Sequence, residues 1–362
     1  MQPGKPPAIS SRSWPVRLSV SLKYTGDLGL VLNRAMQFED AGADALWVTE
    51  SYGFDSATIL GALAARTRRV QVGPGVLNVF SRTPALLAQT AAGLDAVSGG
   101  RAVLGLGASG PQVVEGWHGL AYDRPLARTR DVVEICRSAW RREVVAFDGT
   151  TIRVPLAPGK GSGLGKPLKM LTRPVRGRIP VYLAALGAKN VELTAEIAEG
   201  WLTFLFAPEA MHEVWGKPLA AGSARRSATL GPLDIVAGGV LAIGDDQAAL
   251  RDLARPMTAL YVGGMGARGQ NFYHALVCRY GFADAADRIQ DLFLSGRRAD
   301  AEAAVPDELI DLIHLVGPAD HIANRIDAYR AAGVTTLNVT PEGTDPVRDI
   351  RSVRALLDAG NS

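Results

Sequence analysis

The chain has 362 residues, of which 47% are hydrophobic and 21% charged, and its formal net charge is +3. This balance is typical of a globular protein with a large core, and it excludes a chain that is disordered throughout. Lysine and arginine are scattered rather than clustered, so we predict no nucleic-acid partner. No uninterrupted apolar run reaches the roughly 18 residues of a membrane span, so we predict no membrane partner.

The first 16 residues are rich in proline and serine and contain no continuous apolar segment. We predict a flexible N-terminal arm over residues 1–16, rather than a signal peptide, and one domain over residues 17–362. The two cysteines, Cys136 and Cys278, lie in helical patterns and show neither metal spacing nor a disulfide framework. We therefore expect a cytoplasmic protein without a metal site.

Short buried strands alternate with helices along the rest of the chain. The predicted strands are residues 17–23, 45–49, 70–72, 102–106, 181–184, 201–206, 234–243 and 335–339. Thr83 is predicted to cap the third helix and Pro84 to begin it. The strand–helix–strand connections are too long for hairpins, so neighbouring strands should be parallel. The pattern predicts an α/β fold, a (β/α)₈ TIM barrel, with an open doubly wound sheet as the alternative.

Two stretches are longer than the regular unit requires. Residues 144–178 contain a predicted hairpin with Asp148-Gly149 at its turn, followed by a Gly-, Pro- and Lys-rich surface excursion. Residues 261–306 are helical and include glycines beside aromatic side chains. We expect both stretches to be insertions over the C-terminal face of the barrel. Residues 261–282 are expected to border the substrate cavity as a mobile lid.

Glycines mark the ends of the third and fourth predicted strands. Residues 105–110 match the dinucleotide-binding pattern G-x-G-x-x-G, a weak signal when it stands alone. The match follows the fourth strand, and residues 111–119 after it do not predict a helix. Glycines that allow close packing at a strand end are therefore the favoured interpretation over a Rossmann site.

Three further loops at strand ends carry candidate ligand contacts, each with a structural alternative. Residues 184–190 lead into a helix whose start can hold a phosphate, with Lys189 adding charge, or form an ordinary turn. Glu50 either serves a ligand or caps a helix. Trp117 and His118 either stack on a flat ring and donate a hydrogen bond or only pack their loop. The sequence shows no metal-ligand spacing and no nucleophile motif.

Four segments together resemble the luciferase-like monooxygenase superfamily, and within it the coenzyme F420-dependent oxidoreductases. They are residues 38–52 (FEDAGADALWVTESY), 72–119, 179–201 (IPVYLAALGAKNVELTAEIAEGW) and 260–282 (LYVGGMGARGQNFYHALVCRYGF). The resemblance spans about residues 17–359 and is specific for the superfamily rather than for cofactor or substrate. It implies a (β/α)₈ barrel that moves a hydride between F420 and a small organic substrate, and a homo-oligomer, dimer or larger.

The resemblance also implies site residues. The family has a non-prolyl cis peptide in strand three, behind the deazaflavin ring. The matching bond is Gly75–Val76, and Leu77 and Asn78 continue the wall beside the ring. The other cofactor-binding residues that the resemblance implies are Ala184, Ala185, Gly187 and Ala188, of which the last two would hold the phosphate of the cofactor's side chain. Glu50 falls where relatives place an acid near ring and substrate.

Two positions depart from the relatives that oxidise glucose 6-phosphate with F420. Ser51 stands where they carry histidine, and Gly110 stands where they carry glutamate. These departures argue against sugar-phosphate oxidation by that mechanism. The candidate catalytic residues are then Glu50 and His118. Two alternatives stay open: an FMN-dependent monooxygenase of the same superfamily, and a cofactor-binding relative without turnover.

Overall fold

The structure, a computed structural model, describes residues 15–23 and 26–360. Most of the predicted arm lies outside the described residues, and so do Tyr24 and Thr25. Val16, at the end of the predicted arm, is buried and belongs to the hydrophobic core.

Parallel strands close into a ring. The described strands are β1 (Arg17–Leu22), β2 (Ala45–Val48), β3 (Gln71–Pro74), β4 (Leu77–Asn78), β5 (Leu104–Gly107), β6 (Phe147–Asp148), β7 (Arg153–Val154), β8 (Val181–Ala184), β9 (Gly200–Leu202), β10 (Asp234–Ile243), β11 (Leu315–Gly317) and β12 (Thr336–Pro341). The ring order is β3, β2, β1, β12, β10, β9, β8, β5, and β4 continues β3 beside β5. Because β5 also bridges to β3 at Val72 and Ala102, both ends of the sheet are paired. The predicted barrel is confirmed, and the open sheet is wrong.

Helices surround the ring. They are α1 (Leu28–Asp40), α2 (Ser56–Arg66), α3 (Pro84–Ser98), α4 (Pro111–Gly116), α5 (Pro125–Trp140), α6 (Ala188–Ile197), α7 (Met211–Ser223), α8 (Gln247–Ala259), α9 (Phe272–Arg279), α10 (Ala283–Leu294), α11 (Arg298–Ala303), α12 (Asp307–Ile313), α13 (Ala319–Ala331) and α14 (Pro346–Ala359). Along the described ranges, no helix combines the length and apolarity that a membrane span requires.

Short polar side chains fix where several helices begin. The Asp27 carboxylate accepts from the Gly29 N–H at 2.7 Å, and the Asp55 carboxylate accepts from the Thr58 N–H at 2.9 Å. Thr83 caps α3 through the Leu86 N–H, with Pro84 in the first turn as the sequence predicted. Gly99 ends α3 in the left-handed conformation that glycine adopts at low cost. These caps satisfy backbone donors that a helix start leaves unpaired.

A polar network closes the N-terminal end of the ring. Asp234 forms an ion pair with Arg17 and accepts from the Tyr182 hydroxyl at 2.6 Å. Arg17 also donates to Gln71 at 2.8 Å, and Thr336 donates to Asp234 at 2.8 Å. Burial and the Asp234 charge raise the pKa of Tyr182. Five strands are thus joined at their first or second residue.

The interior above this network is apolar. The Trp47 ring lies 5.5 Å from the Tyr182 ring, measured between centroids, and both pack with Val103, Leu202 and Val236. A larger core fills the shell between sheet and helices, and Trp140, Trp201 and Trp215 are among its fully buried side chains. The lower barrel is therefore a packed core, and ligand space is confined to the C-terminal end of the strands.

Five local features differ from the sequence predictions. The short helices α4 and α12 and the short strand β11 form where none was expected. The sixth ring strand is residues 200–202 rather than 201–206, because Leu205 turns the chain away with φ 48°. The hairpin pairs Phe147 with Val154 and Asp148 with Arg153, so its connection spans residues 149–152. This hairpin packs on α5, where Asp131 accepts from the Thr151 N–H at 2.7 Å.

Candidate cofactor and active site

The third ring strand is interrupted at its C-terminal end. Pro74 of β3 lies opposite Val48 of β2, and the Gly75 N–H donates to the Val48 carbonyl at 2.8 Å. Two residues later β4 pairs with β5 instead, with Leu77 opposite Leu106. The Gly75–Val76 peptide bond between them is cis, the bond that the family resemblance implies. The chain therefore changes partner strand at Gly75–Val76.

The glycines of β5 make room for this interruption. A Cβ on Gly105 would lie 1.9 Å from the Pro74 carbonyl oxygen, and a Cβ on Gly107 would lie 2.7 Å from Val76 Cγ2. The G-x-G-x-x-G match is thus explained by strand packing, the interpretation that the sequence favoured. The expectation that no helix follows it is wrong, because α4 begins at Pro111, whose fixed φ suits a first helical turn.

The wall at Gly75–Val76 carries one hydrogen-bond donor without a partner. Asn78 is 7% exposed, and its Oδ1 accepts from the Phe80 N–H at 2.8 Å. That bond fixes which way the side-chain amide faces, and it leaves Nδ2 buried with no hydrogen-bond partner among the described residues. Buried donors are rarely left unpaired, so this nitrogen is a candidate ligand contact.

The other predicted wall residues divide into two groups. Val76 and Ala184 pack on the interior cluster around Trp47, so their small side chains cover the inner core. Leu77 and Ala185 are buried in the outer shell instead. The Ala185 carbonyl accepts from the Trp201 indole at 2.9 Å. These two residues can border a ligand only through their backbone.

The start of α6 is open. Gly187 and Ala188 are exposed, no side chain caps the helix, and a Cβ on Gly187 would meet nothing within 4 Å. The first N–H groups of a helix lack intrahelical partners and carry the positive end of the helix dipole. The Lys189 ammonium forms an ion pair with the Glu192 carboxylate, at an N–O distance of 3.1 Å. The geometry suits an anionic group placed against backbone N–H donors.

Glu50, a candidate catalytic residue, is already engaged. Its two oxygens accept from the Arg82 guanidinium at 2.5 and 2.8 Å, and Oε2 also accepts from the Ser56 N–H at 3.0 Å. Burial tends to lower the pKa of Arg82, but hydrogen bonds and the charges of Glu50 and Asp55 raise it above its usual value. Glu50 thus ties the loop before α3 to the start of α2, an arrangement that fits an acceptor better than a proton donor.

His118, the second candidate, follows α4. Its backbone N–H donates to the Val113 carbonyl at 3.2 Å, and its ring Nε2 is buried with no hydrogen-bond partner. Trp117 beside it is 67% exposed. His118 therefore has a free ring nitrogen, whereas Trp117 projects into solvent.

Three non-glycine residues with left-handed backbone follow ring strands at this same end. Ser51 follows β2 with φ 47°, Ser109 follows β5 with φ 58°, and Leu205 follows β9 with φ 48°. Such conformations cost on the order of 1–3 kcal/mol each and cluster at functional sites. No periodic sequence pattern marks them, so sequence reasoning missed them.

Two surface depressions lie elsewhere. They have volumes of about 330 and 220 Å³; both lie beside α1 and the loop that leads into α14, and the smaller one extends to the ends of β1 and β12. Their linings contain none of the predicted cofactor residues. Throughout residues 15–23 and 26–360, no three potential metal-ligating side chains are arranged to hold a metal ion.

Comparison with known proteins places this geometry in a family. The family model described as luciferase-like monooxygenase matches residues 13–336. A Mycobacterium tuberculosis protein whose name assigns it to the coenzyme F420-dependent oxidoreductases is 42% identical over 319 residues, covering 87% of this chain and 91% of its own length. The 5,10-methylenetetrahydromethanopterin reductase of Archaeoglobus fulgidus is 31% identical, covering 87% of this chain and 90% of its own.

The fold agrees with this assignment. The coenzyme F420-dependent tetrahydromethanopterin reductase of Methanopyrus kandleri superposes with a TM-score of 0.81 at 21% identity, covering 96% of this chain and all of that one. At that identity the likeness shows the shared barrel alone. The chain belongs to the luciferase-like monooxygenase family, a family of enzymes, and within it groups with the coenzyme F420-dependent oxidoreductases.

Proposed function

We propose that this enzyme binds coenzyme F420 and transfers a hydride between it and a small organic substrate lying above the ring. The observation that carries the proposal is the wall at Gly75–Val76, with the unpaired Nδ2 of Asn78 beside it. A bound deazaflavin supplies a two-electron hydride carrier, and the protein supplies binding, orientation and electrostatics.

The residues present fit such a group. The small, partly buried side chains of Val76 and Ala184 cover the inner core and suit contact with a flat ring. Asn78 Nδ2 offers a donor to a polar edge of that ring. The uncapped start of α6, at Gly187 and Ala188, offers N–H groups to a phosphate. Five of the predicted contacts are thus usable by their side chains or exposed backbone.

Glu50 and His118 take different roles in this proposal. Glu50 positions the loops around the wall through Arg82 and Ser56. His118 retains an unpaired ring nitrogen and stays a candidate for proton transfer. Its backbone is anchored to α4, so the ring is held near the loop after β5.

Titration of the purified chain with F420 and, separately, with FMN tests the proposal. We expect saturable F420 binding and no FMN binding. Bound F420 should then be oxidised or reduced when substrate is added. FMN binding without F420 binding would favour the monooxygenase alternative. F420 binding with no turnover across a panel of carbonyl and alcohol substrates would favour a cofactor-binding relative.

Asn78→Asp sharpens the same titration. Aspartate keeps an oxygen for the Phe80 N–H but replaces the Nδ2 donor with a second acceptor. We expect F420 affinity to fall about tenfold, the effect of losing one hydrogen bond of about 1.4 kcal/mol. Unchanged affinity would remove Asn78 from the site.

We also propose a homo-oligomer, dimer or larger. The support is an apolar surface on the first insertion, where Leu156, Leu164, Leu168 and Leu171 are 66%, 85%, 65% and 96% exposed. Scattered apolar side chains are normal on a surface, but four exposed leucines within 16 residues are more than a solvated loop requires, which favours a partner. Light scattering of the purified chain tests this, and a monomer mass would contradict it.

A further inference from the structure

An aromatic cluster lies at the C-terminal end of the barrel. The Tyr261 ring packs at a tilt on the Phe204 ring, with centroids 4.2 Å apart, and meets the Tyr273 ring edge-on at 4.8 Å. Phe204 follows β9, at the end of the ring where the wall at Gly75–Val76 also lies. Barrels of this kind bind ligands at this end, so the cluster is placed to border one.

Tyr261 is held in this position by its own segment. It belongs to a π-helical turn, Leu260–Gly264, a geometry found disproportionately at functional sites. Asn271 donates from Nδ2 to the Tyr261 and Val262 carbonyls, both at 2.9 Å. On the other side a Cβ on Gly263 would lie 2.5 Å from Phe293 Cβ, so the turn packs closely on α10.

The Tyr261 hydroxyl differs from other tyrosine hydroxyls near the mouth. Tyr122 donates to the Ser109 carbonyl at 3.2 Å, and Tyr280 donates to the Leu205 carbonyl at 2.8 Å. The hydroxyls of Tyr261 and Tyr273 have no such partner among the described residues. Burial, and then the neighbouring Tyr52, raise the pKa of Tyr261, so its hydroxyl is protonated near neutral pH.

We propose that Tyr261 is the catalytic proton donor, and that the substrate is a carbonyl compound on a flat, largely apolar body. The inference rests on the proposed function. It assigns the proton donor that the sequence left open between Glu50 and His118. The Glu50 oxygens already accept from Arg82 and Ser56. His118 is the rival donor, and an unchanged single-turnover rate in Tyr261→Phe would favour it over Tyr261.

The step balances as follows in the reductive direction. Reduced F420, when bound, would supply the hydride to the substrate's carbonyl carbon. The π pair of the C=O bond would then move to oxygen, and that oxygen would take the Tyr261 proton. The carbonyl is reduced by two electrons, and the phenolate left on Tyr261 regains a proton from solvent.

The walls of the mouth define the substrate class. Phe204, Tyr261 and Tyr273 present ring faces and edges that suit a flat apolar body. The free Tyr261 hydroxyl offers a neutral donor rather than charge. Arg82, the cation tied to the wall loops, is already paired with Glu50 and Asp55. A neutral carbonyl compound therefore matches better than a phosphorylated or carboxylated one.

Binding of a chromophoric aldehyde tests the proposal without relying on turnover. The probe is 4-(dimethylamino)cinnamaldehyde, whose absorption band moves to longer wavelength when its carbonyl oxygen accepts a hydrogen bond. It is titrated into the chain already saturated with oxidised F420, which cannot reduce it. We expect the wild-type complex to shift the band, and Tyr261→Phe to lose the shift and bind the probe about tenfold more weakly.

Tyr273→Phe is the matched control, since it removes a neighbouring hydroxyl from the same cluster. It should retain the shift, and all three proteins should bind F420 equally and melt at the same temperature. With reduced F420 the single-turnover rate of Tyr261→Phe should fall at least about 100-fold. A full band shift in Tyr261→Phe, or no probe binding by wild type, would overturn the inference. Failure of F420 to bind would instead overturn the proposed function.

Discussion

Two single atoms support the proposed site. Asn78 Nδ2, at the end of β4, and His118 Nε2, in the loop after α4, are buried and have no hydrogen-bond partner among the described residues. Buried polar atoms cost free energy when unpaired, so a ligand that bonds them gains affinity. The open Cβ position of Gly187 supports a third proposed contact, in this case through backbone N–H groups.

Gly187→Glu tests the phosphate position. Gly187 has φ −72°, which any residue adopts, and its Cβ position is empty, so the fold should accept the change. The carboxylate should repel a phosphate and weaken F420 binding at least about tenfold, an energy of about 1.4 kcal/mol. Fluorescence titration measures this.

Gly187→Ala is the control, because it adds bulk without charge and should leave F420 affinity within about twofold. Equal affinities for wild type and Gly187→Glu would exclude the start of α6 from the site.

His314 makes stability depend on pH. Its Nδ1 accepts from the Val240 N–H at 3.1 Å, its Nε2 lies 3.0 Å from the Thr258 hydroxyl, and burial lowers its pKa to about 3. An unfolded histidine titrates near 6.5, so between pH 6.5 and 3 the unfolded state binds more protons. Its contribution is complete above about pH 6.5 and is lost as pH falls, by about 2 kcal/mol at pH 5.

Urea unfolding at pH 7.5 and pH 5 measures this loss. His314→Asn keeps an acceptor for the Val240 N–H but cannot gain the proton. The variant's free energy of unfolding should therefore fall by about 2 kcal/mol less than that of wild type over the same interval. Equal losses in the two proteins would show that His314 is not the titrating group.

At the scale of elements, the interrupted third ring strand (β3 and β4) and its neighbour β5 depend on each other's shape. The interruption of the third ring strand at Gly75–Val76 occupies space that side chains on β5 would otherwise fill. The glycines of β5 are therefore needed because of β3 and β4, which lie beside them in the ring. The wall of the proposed cofactor site therefore depends on both the interrupted third strand and β5.

Gly105→Ala tests this dependence. Its Cβ would lie 1.9 Å from the Pro74 carbonyl oxygen, and because that atom belongs to the backbone, β3 must shift. We expect the free energy of unfolding to fall by about 2–3 kcal/mol, as in other overpacked cores, together with weaker F420 binding. Chemical denaturation and titration measure the two effects.

Gly61→Ala provides the comparison, since its Cβ in α2 would meet nothing within 4 Å. Alanine in a helix interior should stabilise by about 0.5–1 kcal/mol and leave F420 affinity unchanged. A Gly105→Ala protein as stable as wild type would contradict the close packing of β5 on β3.

Sequence periodicity predicted most of these elements. The strands Val181–Ala184 and Asp234–Ile243 form with the predicted bounds, because buried runs define them locally. The short helix α4 and strand β11 were missed, since elements of six and three residues have too few positions to show a period. The packing of Tyr261 on Phe204 joins segments that are distant in sequence, and no local pattern encodes it.

At the scale of the whole molecule, stability and the proposed function depend on opposite ends of the barrel. The N-terminal end is closed by the network around Asp234, whereas the unpaired groups and the left-handed residues lie at the C-terminal end. This division is general for such barrels, where the loops after the strands carry the chemistry. Variants at the N-terminal end should therefore lose stability, whereas variants at the C-terminal end should lose ligand binding.

Asp234→Asn tests the division. Asp234 accepts from Arg17, Tyr182 and Thr336, so losing its charge weakens several bonds at once. We expect the free energy of unfolding to fall by about 2–3 kcal/mol while F420 affinity stays within about twofold. Loss of affinity at unchanged stability would contradict the separation of the two ends.

The most direct test of the central claim is a crystal structure of the chain with bound F420. The account predicts the deazaflavin ring against Gly75–Val76, with Asn78 Nδ2 donating to it and the phosphate at Gly187 and Ala188. A ring bound elsewhere, such as in the depression between α1 and α14, with the wall facing only solvent, would contradict it.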